Sequence, residues 1–319
     1  MTCDGALKAT LDCSPVLALE HNITAAFESF HGNVADLVAG GLLDAEVLLE
    51  VDAAPPRTPN VSRTTPAQMR VHVAMLELLW AFIYSWMVIY EETVQKAQLR
   101  GDEVGSTNES NELLVSRAEK LWVWARELRN GYSPWPSDLP SPRAELNEQE
   151  RWYAEKANYV FERATSFQLT HELAHVTQGH LAISRDEAAQ DALSAQLENE
   201  ADLRAFEALV EQGFGDEEKL AQAWAVFSVM LASLFTCSDL RSALKTRRHP
   251  PLHHRLAHLA NALDFQVERY RYYYPLLCRV VLQDAFPELA RPGQHYEDAD
   301  DSFQAALDAL DRIAASSLP

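Results

Sequence analysis

Apolar positions along the chain recur every three or four residues over long stretches, the period of a helix, and seldom alternate as in a half-buried strand. The pattern predicts helices over about 33–50, 66–99, 108–129, 148–181, 185–212, 217–244 and 251–284. Gly101, Gly131, Gly213 and Gly215 stand where these runs stop, and a left-handed cap costs least at glycine. Two proline-rich stretches, AAPPRTP (53–59) and SPWPSDLPSP (133–142), cannot continue a helix and read as ordered connectors. The expected fold is a mainly α, multi-helix globule. Its expected division is a helical N-terminal region over 1–145 and a helical body over 146–319.

The segment VHVAMLELLWAFIYSWMVIY (71–90) is apolar on every side and nearly long enough to cross a bilayer. His72 and Glu77 interrupt it, which leaves a clean apolar run from Leu78 to Tyr90. That length suits a helix buried in a protein core, and a charged residue inside lipid is costly. A buried helix is therefore expected here rather than a membrane span.

Charge narrows the choice of partner. The 319 residues include 27 Lys and Arg against 47 Asp and Glu, a formal charge of −20. Such a surface lacks the basic stripe that gains affinity by neutralising phosphates, so no nucleic-acid partner is expected. Anionic lipid headgroups repel it as well. The first residues show no basic region followed by an apolar run, so no signal peptide is expected. Cys3, Cys13, Cys237 and Cys278 form no C-x-x-C pair, which suits a reducing compartment. The expected location is the cytosol, where the sequons at Asn22, Asn60 and Asn108 meet no glycosylation machinery.

The chemistry lies in THELAHVTQGH (170–180). His171 and His175 are four apart, which on a helix puts both imidazoles on one face, able to share a tetrahedral cation. In an H-E-x-x-H arrangement the glutamate, here Glu172, does not bind the metal but points at the open position where water is held. A third ligand should come from a downstream helix. LENEADLRAFEAL supplies Glu198 and, four residues on, Asp202 on the same face, whereas Glu200 is turned about 200° from Glu198. With His171, His175 and Glu198 on Zn2+, the fourth position is left for water, the mark of a catalytic site. Asp202 is then placed to accept the free N–H of His171 and fix its tautomer. The competing view of ENEAD is a solvated face of an acidic chain.

A third block, RRHPPLHHRLAHL (247–259), holds His249, His253, His254 and His258, with Arg255 one and a half turns after His249. Two prolines fix His249 at a helix entrance. His254 and His258 are four apart, but a second metal there finds no H-E-x-x-H glutamate and no carboxylate nearby in the sequence. The plain alternative is a basic helix start on the surface.

HELAH, ENEAD and HPPLHHRL together resemble, in order, the three signatures of the membrane-protease group that includes HtpX and the prenyl-protein CAAX proteases, with its soluble single-domain relatives. The resemblance implies that the first two motifs hold zinc and that His249 lies near the substrate carbonyl. His180 matches a further histidine common in that group. The group usually has several transmembrane helices, whereas here one segment at most is a candidate, which tells against intramembrane or prenyl substrates. The chain is also similar in layout to the Lit phage-exclusion peptidases, being helical, of about this size, with an apolar helix ending in I-Y-E-E (89–92) upstream of H-E-x-x-H. That likeness implies cleavage of a translation elongation factor during infection.

The sequence thus points to a zinc-dependent endopeptidase of the gluzincin type, built around a zincin-type pair of helices and acting on an intracellular protein or peptide. Glu172 would move the proton, and zinc with His249 would stabilise the oxyanion. An activating partner would restrict such an activity. The alternative from another class is a zinc-stabilised helical binding or regulatory protein whose H-E-x-x-H site is structural or degenerate.

Overall fold

The computed structural model describes residues 14–21, 32–103, 105–143, 147–183, 190–211, 215–245, 250–263, 265–290 and 295–316. The fold is mainly α, with one three-stranded sheet among the described residues. The chain forms two compact units, Met1–Ser166 and Phe167–Pro319.

In the first unit, α1 (Gly32–Ala39) ends at the pair Gly40 and Gly41, the second of which takes φ 67°. The helix expected to reach residue 50 therefore stops about ten residues early, because a left-handed glycine turns the chain out of the helical path. Strands β1 (Leu48–Glu50), β2 (Asn60–Val61) and β3 (Met69–His72) follow. The central β3 pairs in parallel with β1, Leu49 opposite Val71, and antiparallel with β2, Val61 opposite Met69. Residues 69–72, expected to be helical, are thus strand, and α2 (Val73–Ile89) begins directly after them.

Every residue of α2 from Val73 to Val88 is buried, as expected of a helix that is apolar all round. Beyond it a π-helical turn, Tyr90–Gln95, leads into α3 (Lys96–Arg100), which Gly101 closes in the left-handed conformation. The widened turn places the buried Glu92 where it accepts from Tyr153 Oη at 2.7 Å and from Asn111 Nδ2 at 2.7 Å. Helix α4 (Glu112–Glu127) packs along α2, with Trp122 edge-on to Phe82 at 5.5 Å between ring centroids. Helix α5 (Glu148–Thr177) begins in this unit and ends in the second.

The second unit contains the end of α5, then α6 (Gln190–Phe206), α7 (Asp216–Ser233), α8 (Leu252–Ala262), α9 (Tyr273–Ala285) and α10 (Ala299–Ser316). Phe227 of α7 stacks on Tyr274 of α9 at 4.9 Å. The single helix expected over 251–284 is broken after Ala262, where the Asp216 carboxylate accepts from the backbone N–H groups of Gln266 and Val267 and holds the chain extended. Gly215 is not a left-handed stop: its φ of −165° is extended backbone, and it stands at the start of α7. Gly213 lies outside the described residues. Helix α10 lies beyond the expected set. Its buried face is built from Phe303, Ala306, Leu307 and Leu310, apolar residues that recur at helical spacing.

Among the described residues two helical stretches are long and apolar enough to cross a membrane, Val73–Arg100 and Asp216–Thr236, one more than the sequence suggested. Protein covers 94% and 72% of their apolar windows.

Candidate metal centre

Helix α5 ends because Gly179 takes φ 70°, a conformation open to glycine at no steric cost. Its last turns carry His171 and His175, and one turn of helix brings their rings to a centroid distance of 4.9 Å. Glu198 arrives from α6, where Ala201, Ala205 and Phe206 are buried and the acidic residues alternate around the helix. The three side chains converge. Nε2 of His171 lies 3.2 Å from Nε2 of His175 and 3.3 Å from Glu198 Oε2, and Nε2 of His175 lies 3.5 Å from Glu198 Oε1. His171 and Glu198 are buried, and His175 is partly open. The ligand atoms of the three lie within 4.8 Å of one another, close enough that they could hold a metal ion.

A second layer supports both imidazoles. Asp202 Oδ1 lies 2.9 Å from His171 Nδ1, and Arg255, from α8, donates two hydrogen bonds of 2.6 Å to the two oxygens of the same carboxylate. On the other side, His175 Nδ1 lies 3.0 Å from His180 Nδ1, and His180 Nε2 lies 3.4 Å from Glu200 Oε2. When both Nε2 atoms face a cation the ring protons sit on Nδ1, so His171 donates to Asp202 and His175 donates to His180. Each ligand then has its tautomer set by a different partner.

The ion-free electrostatics follow from these contacts. Burial raises the cost of the Asp202 charge, yet the Arg255 guanidinium outweighs it and holds the carboxyl well below its usual range. Burial likewise opposes a charged His171, but Asp202 and Glu198 overcome it and hold the imidazolium far above the ordinary histidine range. Burial and the neighbouring His171 charge push His175 down to about 4. A proton on His171 thus occupies the space between the donors that a cation would take, and binding a cation must expel it.

Of the residues singled out in the sequence, His171, His175, Glu198 and Asp202 come together. Glu172 is half-buried beside His171, and its charge acts on both His171 and Arg255. His249 lies outside the described residues. His253 and His254 face Asp311 on α10, each Nε2 2.8 Å from Oδ1, so the block does have a carboxylate beside it, supplied from 57 positions further along the chain. His258 is exposed. Glu200 is not among the three grouped residues and reaches His180 instead. Arg255 was noted in the sequence without a role. Its signal was its position one turn after Leu252 on the buried side of an amphipathic helix, where an arginine needs a carboxylate partner.

Residues 69–274 match the profile of the Peptidase U49 family. The chain belongs to the Peptidase U49 family. U49 is the Lit-like peptidase family, so the match supports the layout resemblance and identifies a peptidase that acts on a protein or peptide. It spans β3 to the start of α9 and includes every residue of the three-ligand group and its supporting layer. Neither a curated protein nor a solved structure matches the chain.

Proposed function

We propose that this U49 peptidase is a zinc-dependent endopeptidase of the gluzincin type, with residues 146–319 as its catalytic body and an intracellular protein as its substrate. The observation that carries the reading is the size of the three-ligand group. Ligands held tetrahedrally about 2.0–2.1 Å from zinc stand roughly 3.3 Å apart, and the separations here are 3.2, 3.3 and 3.5 Å. Two imidazoles and a carboxylate are also a donor set that zinc takes in hydrolytic sites, one position being left for water. The order of HELAH, ENEAD and HPPLHHRL, shared with the HtpX and CAAX group, supports the same assignment.

Zinc bound there would supply a Lewis acid that brings the pKa of a water toward about 7 and polarises the scissile carbonyl. Glu172 takes the proton of the attacking water and passes it to the leaving amine. Asp202 keeps the His171 proton on Nδ1, and Arg255 keeps Asp202 ionised and fixed in orientation. His180 does the corresponding work for His175. The net charge of −20 favours basic or neutral segments as substrates through long-range attraction.

Glu172→Gln tests the assignment. The variant should fold and bind as much zinc as the unaltered chain while losing proteolysis by several orders of magnitude, read as peptide bonds cut in a cell lysate. Retained cleavage with zinc bound would assign the proton transfer to another group. An unaltered chain that holds zinc and cuts nothing would favour a binding protein with a structural ion.

A further inference from the structure

His253, His254 and Asp311 lie apart from the three-ligand group and have no part in the proposed reaction. Adjacent residues on a helix point about 100° apart, yet His253 and His254 both bring Nε2 to 2.8 Å from the same oxygen, Asp311 Oδ1, with their rings 4.4 Å apart between centroids. The three donor atoms lie within 4.8 Å of one another. His253 is buried, whereas the His254 and Asp311 side chains are 53% and 54% exposed, so the cluster has a closed side and an open one.

We propose that these residues form a second divalent metal site, of the zinc class, that ties α8 to α10. Two neutral imidazoles with one carboxylate select zinc, nickel or copper over magnesium or calcium, which prefer all-oxygen sites. A carboxylate oxygen accepting from two imidazoles occupies one corner of a triangle that an ion fills with modest movement of the exposed His254 and Asp311 side chains, water completing the coordination on the open side. The ion fixes the helix that carries Arg255, two residues beyond His253 and the partner of Asp202. This site does not depend on the zinc peptidase reading, because it shares no ligand with the three-residue group.

The experiment is a zinc titration of the metal-stripped full chain against a chromogenic chelator, with zinc per chain counted by mass spectrometry. It is carried out in a His175→Ala background, which removes a ligand of the first group, and repeated in a Glu198→Gln background against local misfolding. One equivalent of zinc should remain bound in each background. Adding Asp311→Asn or His254→Ala should then abolish it. Both of these positions are half-exposed, so folding does not rest on them. No zinc bound in either background, or zinc that persists after Asp311→Asn, would overturn the proposal and leave Asp311 as a hydrogen-bond acceptor for two histidines. The fall from two equivalents of zinc in the unaltered chain to one in His175→Ala measures the first site, so the two readings fail separately.

Discussion

His171 has two ring nitrogens with different neighbours, and the difference makes a prediction. Nε2 faces His175 and Glu198, while Nδ1 faces a carboxylate that Arg255 grips at both oxygens. A bidentate guanidinium keeps Asp202 an acceptor, so once a cation expels the Nε2 proton the imidazole holds its remaining proton on Nδ1 and turns a lone pair toward the ion. Asp202→Asn removes the charge and lets the amide present a donor in its place. Zinc affinity should fall by about 10- to 100-fold, measured by competition with a chelator. Unchanged affinity would mean that Asp202 acts only on Arg255. The sequence carried this far because His171 with His175, and Glu198 with Asp202, are pairs four apart on single helices, and helical geometry alone puts each pair on one face. Arg255, Asp311 and the His175–His180 contact escaped because tertiary packing, a helix from another part of the chain, or a glycine turn brings them in.

Among the elements, α2 was the most legible and holds the least expected energetics. A run that is apolar on every side suits a helix buried in a protein core, yet Glu77, in its second turn, has no exposed surface and accepts from Ser14 Oγ at 2.7 Å. Burial pushes its carboxyl up to about 7 against the opposing Ser14 hydrogen bond, from an ordinary value near 4.5. Between those two values the unfolded chain has already released the proton that the folded chain retains. Stability therefore falls as pH rises through this window, by about 3 kcal/mol. Glu77→Gln keeps an acceptor for Ser14 and never acquires the charge. It should be more stable than the unaltered chain at pH 8, about equal to it at pH 4, and flatter between, as read by urea unfolding. Parallel curves for the two proteins would assign the dependence to other groups. The strands, by contrast, were illegible because two to four residues are too few for an alternating pattern to stand out from helical periodicity. Helix α10 was legible, Phe303, Ala306, Leu307 and Leu310 keeping a clear helical period, and nothing physical accounts for its absence from the expected set.

For the molecule as a whole, the two long apolar stretches decide how it should be handled. Protein covers 94% of the apolar window in Val73–Arg100 and 72% of that in Asp216–Thr236, so most of the surface that would face lipid is already satisfied. The protein should be recovered from lysed cells in buffer without detergent. Recovery only in a detergent-extracted membrane fraction would show that one of these helices faces lipid and would strengthen the likeness to the HtpX group. The boundary between the units has a different consequence. It falls between Ser166 and Phe167, inside the unbroken helix α5, five residues before the first histidine of the metal centre. Proteases cut chain that can be drawn out into an extended strand, and a helix with its backbone hydrogen bonds intact resists that. Brief digestion of the native protein should therefore nick it elsewhere and release no pair of intact halves.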